Sequence, residues 1–171
     1  MSRALQQKAP HLQAVPSVEQ SLVDDHDLRV PVVRVPVTLH LHDGRVVDGC
    51  FFLPPGDPVD TLLEESSGFV PVLESSGVHI YARHAIAVIE VDSELAQQRP
   101  PDPFEASAPY RAVRAKLYSG KVVEGELRVV APVGRTRTAD ILNQPERAFT
   151  LRRGDSLVVI AKHHVEHLEE A

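Results

Sequence analysis

Nine histidines and a single cysteine are the first residues in this sequence whose types suggest chemistry. His40 and His42 stand two apart, and in an extended strand that spacing turns both imidazoles to one face. Such a pair is half of a zinc site and needs further ligands. Near the C-terminus, "KHHVEHLEE" sets His163 and His167 four apart, without the His-Glu-x-x-His order of a metalloprotease helix. Cys50 is the sole thiol. A nucleophilic role requires a depressed pKa, and no neighbour in the sequence supplies one. Neither a phosphate-cradling loop nor a nucleophile elbow occurs. The expectation is a protein with no catalytic residue, no metal and no cofactor, hence not an enzyme.

Two surface features remain. Arg135, Arg137, Arg147, Arg152 and Arg153 cluster in the second half of the chain, a pattern that suits an anion or nucleic-acid patch. They are interleaved with Asp140, Glu146 and Asp155, and the one aromatic among them, Phe149, is expected in the core. Stacking platforms for single-stranded nucleic acid need exposed aromatics, so a solvated or protein-contacting face is expected. The net charge of -6 points the same way, because nucleic-acid binding leaves a basic footprint. The second feature is apolar. In "GCFFLPP", Cys50 and Phe52 face outward where the second half carries Glu126 and Arg128. This suits a protein-contact surface, against the second half or another chain, or equally a barrel-mouth position covered by its own loop or by the N-terminal tail.

These residues are positioned by a sequence written twice. Val35, Val37, Leu39 and Leu41 alternate with polar neighbours, the period of a half-buried strand. Asp43-Gly44 turns the chain, and Val47, Gly49, Phe51 and Leu53 return on the inner face. At an offset of 76 residues, Val113, Ala115 and Leu117 lead through Ser119-Gly120 to Val123, Gly125, Leu127 and Val129. The mid-strand Gly49 and Gly125 mark a bend or a close backbone approach. Asp60, Leu62 and Phe69 then align with Asp140, Leu142 and Phe149 at an offset of 80, predicting a short helical turn followed by a strand in each copy. "VHIYARHAIAVIE" aligns with "VVIAKHHVEHLEE" at 79 and gives two more strands about a tight turn. Phe51, Phe69, Leu117, Leu127 and Phe149 are expected in the core.

The domain plan follows. Residues 1–28 read as a flexible tail, with "SVEQ" as a capping box for a short helix over 17–24. Residues 29–92 form the first repeat, 93–108 a Pro-rich linker, and 109–171 the second repeat. The halves differ electrically: residues 29–92 carry 4 basic and 9 acidic side chains, and residues 105–171 carry 11 and 9. Five short strands, a bent glycine-bearing second strand and a tight turn before the last strand resemble an SH3-like or Sm-like small barrel. The resemblance covers residues 30–92 and 109–170. It implies an all-β protein of two tandem five-stranded small barrels, each with a short helical turn in a loop.

The N-terminus does not read as a secretory signal, and no apolar run reaches the roughly 20 residues that cross a bilayer. One cysteine excludes an internal disulfide framework. The expected role is a cytoplasmic interaction or assembly module. Its partner is another protein or a second copy of itself, without membrane contact. The alternative is an Sm-like regulator that binds RNA or another nucleic acid.

Overall fold

The computed structural model describes residues 31–64, 68–96, 107–130 and 137–171. The expected N-terminal tail with its 17–24 helix lies outside the described residues, as do Arg135 and most of the linker. The chain runs β1 (Val33–Leu41), β2 (Val46–Leu53), α1 (Thr61–Glu64), β3 (Phe69–Glu74), β4 (Gly77–Ala82) and β5 (Ile86–Asp92). It continues through α2 (Ser93–Ala96), β6 (Tyr110–Leu117), β7 (Val122–Arg128), α3 (Thr138–Leu142), β8 (Ala148–Arg153), β9 (Ser156–Ala161) and β10 (Val165–Glu170). Short 3-10 turns, Arg83–Ala85 and Lys162–His164, precede β5 and β10. Each half thus carries its expected helical turn, burying Leu62 and Leu63 in α1 and Ile141 in α3.

The all-β class holds. Where the sequence reading placed two tandem barrels, the strands run as one open antiparallel sheet in the order β10-β6-β7-β8-β9-β5-β1-β2-β3-β4. The strand order within it is periodic. The first five strands lie in the order 5-1-2-3-4, and the second five repeat that order as 10-6-7-8-9. Even the irregularities coincide, since β1–β5 shifts register between His40 and Leu41, and β6–β10 shifts opposite Leu117 and Lys116.

Turn chemistry sets the first hairpin of each half. The Gly44 amide donates to the Leu41 carbonyl and the Leu41 amide to that of Arg45; Gly120, Leu117 and Lys121 repeat this. The three-residue loop needs a left-handed last residue, and Gly44 (φ 88) and Gly120 (φ 83) provide it. Gly49 and Gly125 answer a different need, close approach. A Cβ on Gly49 would fall 2.6 Å from Val72 Cγ1 and 2.9 Å from the Leu73 carbonyl oxygen. One on Gly125 would fall 2.9 Å from Leu151 Cβ. There β3 and β8 cross tightly over the bent β2 and β7.

Two apolar clusters result. The first gathers Val35, Leu39, Phe51, Val72 and Ile89, and the second Leu117, Leu127, Phe149, Leu151 and Ile160. Four of the five expected core residues are buried. Phe69 is not: it is 67% exposed. The core face of β3 belongs to Val70 and Val72, and Phe69 is paired with Ala82 on the opposite face. The registers Cys50↔Leu73 and Glu126↔Arg152 put β3 and β8 at an offset of 79. The structural counterpart of Phe149 is therefore Val70, and that of Phe69 is Ala148. A one-residue slip moves a side chain to the other face of a strand.

Candidate protein-contact surface

Cys50 and Phe52 stand on the outer face of β2, both partly exposed, as the alternation predicts. They do not stand alone. Cys50 pairs with Leu73, Leu73 with Val78, Pro71 with Ile80, and Phe69 with Ala82. Directly opposite residues share a face of a sheet, so one apolar surface runs from β2 across β3 to the edge strand β4. On it Phe69 is 67%, Val78 58% and Ile80 70% exposed. Beside it Arg34 sets its guanidinium 5.8 Å from the centre of the Phe52 ring. The Cys50 thiol is free.

The second half shows what covers this surface when it is covered. Under the same offset, Phe69, Val78, Ile80 and Ala82 correspond to Ala148, Leu157, Val159 and Ala161. Ala148, Val159 and Ala161 are buried in the first apolar cluster, with Leu157 packed against it. The burial is produced by a joint between the halves. Strand β5 pairs with β9 in the register Val88↔Ile160, Ile89↔Val159, Glu90↔Val158 and Val91↔Leu157. In return, Ala87 and Val88 of β5 complete the second cluster. Each half therefore lends a strand face to the core of the other. A strand buried on both faces reads as a continuous apolar run, and "IAVI" in β5 and "LVVIA" in β9 are such runs.

Charges lock the joint. The Glu90 carboxylate accepts from His40 Nε2 at 2.8 Å and from Arg153, and lies 3.6 Å from Lys121 Nζ. Lys121 Nζ is 2.8 Å from His40 Nδ1. Lys121 Nζ is also 2.9 Å from His40 Nε2, so the ammonium sits against the imidazole and not along one lone pair, while the Glu90 carboxylate, which only accepts, sets a proton on Nε2. Burial, followed by Lys121, lowers the His40 pKa from its usual value. Burial alone would raise the Glu90 pKa, but Arg153 and His40 together outweigh it and hold it low.

The histidine candidates separate. His40 belongs to the joint, while His42 is exposed and stacks at 6.2 Å on His164, whose Nε2 donates to the His84 carbonyl. Among the described residues no three His, Cys, Asp or Glu side chains gather as metal ligands. His163 and His167 fall on a 3-10 turn and on β10.

The arginine candidates also part. Arg137 caps α3, Arg152 pairs with Glu126 and stacks over Tyr110, and Arg153 turns to the joint. Of the described candidates only Arg147 enters a basic cleft, lined by Leu63, Arg83, His84, Glu146, Lys162 and His163, where the two 3-10 turns meet. Among the described residues no helix is long and apolar enough to cross a membrane. Comparison with family models, with curated proteins and with solved structures finds no match for this chain.

Proposed function

We propose that this protein is a non-enzymatic interaction module that binds protein through the outer apolar face of its first half. One observation carries the reading. The side chains corresponding to Phe69, Val78 and Ile80 are covered by protein in the second half, while these three are 67%, 58% and 70% exposed. Contiguous apolar surface of this kind marks an interaction site. The strand order repeated in each half supports reading both as SH3-like or Sm-like small-barrel units fused through a shared strand pair. A folded Phe52→Arg chain, checked by circular dichroism, should lose the partner or assembly of the wild type in light scattering and pull-down. Unchanged partners and unchanged assembly in both Phe52→Arg and Ile80→Lys would sink the proposal.

A nucleic-acid reading is second and rests on the basic cleft. Arg83, His84, Arg147, Lys162 and His163 line it together with Glu146, and Glu64 stands beside it, accepting from the Arg147 amide. An electrophoretic shift with total RNA at low and moderate salt tests it, since phosphate contacts weaken as salt rises.

A further inference from the structure

The joint between β5 and β9 is made by the last strand of one repeat and the fourth strand of the other. Among the described residues, the same two kinds of strand stand unpaired at the ends of the sheet: β4 at one and β10 at the other. An edge strand offers a row of open amides and carbonyls. Each chain thus carries both halves of a joint it has already made once internally.

The positions that build the internal joint can be followed to the edges residue by residue. Leu157, Val159 and Ile160 on β9 correspond to Val78, Ile80 and Tyr81 on β4. Val88, Ile89 and Glu90 on β5 correspond to His167, Leu168 and Glu169 on β10. The registers support the match: Thr38 opposes Glu90 as Arg114 opposes Glu169, and Glu74 opposes Gly77 as Arg153 opposes Ser156. The four charged positions of the joint, His40, Glu90, Lys121 and Arg153, become Lys116, Glu169, Arg45 and Glu74. The sign change from Arg153 to Glu74 is offset by the change from His40 to Lys116. Two cations face two anions, a complementary set. In the single chain three of these groups hold exposed local partners that can exchange, Arg45 with Asp43, Lys116 with Glu166 and Glu169 with His167, while Glu74 accepts from the Tyr81 hydroxyl at 2.6 Å.

We propose that β4 of one chain pairs antiparallel with β10 of a second copy, so that copies add head to tail. The register sets His167 opposite Tyr81, Leu168 opposite Ile80, Glu169 opposite His79 and Glu170 opposite Val78. The pairing covers Val78 and Ile80, as the internal joint covers Leu157 and Val159. On β4 both polar positions meet polar groups, Tyr81 a histidine and His79 a carboxylate, while the third polar position of β10, Glu170, falls beside Val78 and accepts from Arg111 and Thr138 of its own chain. Because the contact is heterologous, the assembly grows until it closes on itself or forms a filament.

This inference rests on the protein-contact reading above, and the test separates the two. Sedimentation velocity on the full chain, from micromolar to several hundred micromolar, should show a mass that rises with concentration. Ile80→Lys places a charge on the exposed face of β4, and Glu169→Lys leaves three cations and one anion in the set. Each variant alone should lose association and remain monomeric while melting like the wild type. Mixed in equal amounts they should form a one-to-one dimer and stop, because each retains the edge the other lacks. A monomeric wild type, a single variant that still associates, or a mixture that stays monomeric overturns the proposal. Association lost in Ile80→Lys but kept in Glu169→Lys means a symmetric β4–β4 contact, which also overturns it. A monomeric wild type that captures a different protein, with capture lost in Ile80→Lys, overturns head-to-tail pairing and leaves the protein-contact reading standing.

Discussion

Arg34 lies opposite Phe52 in the β1–β2 register with its guanidinium over the ring, and Tyr110 and Arg128 repeat the pair with the strands exchanged. The first half puts its aromatic on the second strand, and the second half puts it on the first. The pair is kept because a cation over an aromatic face is attracted by the ring quadrupole, by about 0.5–1 kcal/mol at exposed sites. Phe52→Arg alone would set two guanidiniums together. The double change Arg34→Tyr with Phe52→Arg transplants the second-half pair. Urea unfolding should place it within about 1 kcal/mol of the wild type, more stable than Phe52→Arg alone. A double variant no better than the single would mean that the two residues do not act as a pair.

The two phenylalanines that align in the sequence should behave oppositely. Phe149→Ala empties a site that is 8% exposed and should cost roughly 3–5 kcal/mol. Phe69→Ala removes a surface ring and should stay within about 0.5 kcal/mol in the dilute single chain. Equal losses would restore the alignment of Phe69 with Phe149 and undo the offset of 79.

Gly49→Ala and Gly125→Ala should each destabilise by about 1–3 kcal/mol, through overpacking rather than turn strain. The new methyl of Gly49→Ala meets a carbonyl oxygen at 2.9 Å as well as a valine methyl, and backbone yields less readily than a side-chain tip. Full stability in thermal melts of both variants would show that β3 and β8 can move away freely.

Stability should fall as pH drops through the histidine range. His40 and His164 both have pKa values lowered from 6.5, chiefly by burial. A folded pKa below the unfolded one means that the unfolded chain binds protons first. The stabilisation is full above about pH 6.5 and is lost as pH falls toward the folded values. Melting temperatures should decline between pH 7.5 and 5, and less steeply in His40→Gln. A flat profile in the wild type would show that neither ring is held neutral by the fold. Glu90 adds a second decline as pH falls from the ordinary carboxylate value toward its own lowered one, because Arg153 and His40 hold its pKa low.

Much of this arrangement is legible in the residues themselves. Alternation set the inner faces of β1, β2, β6 and β7 correctly, because a period of two admits only two answers and Gly44 and Gly120 fix the turn between them. On β3 the same logic failed by one position. The preceding loops differ in length, and matching one aromatic to another outweighed the alternation of Val70 and Val72. Cys50 and Phe52 were visible as apolar residues out of place, but Val78 and Ile80 were not, since a strand shows its exposure only once its neighbour is known. The β5–β9 joint left a trace in two uninterrupted apolar runs, and the trace is ambiguous without topology.

That joint also bears on how the chain reaches its native state. Its pairs, such as Val88 with Ile160, lie roughly 70 residues apart, whereas each hairpin closes over a few, and loop-closure entropy favours the near contacts first. Until the distant pair forms, Ala148, Val159 and Ala161 have lost their cover and Ala87 and Val88 have not found theirs. The halves are then half-finished surfaces that match each other and equally match those of a neighbouring nascent chain. Exchange of β5 between two chains satisfies every hydrogen bond of the native joint, so during synthesis the tether between the halves is what keeps the correct partner nearest.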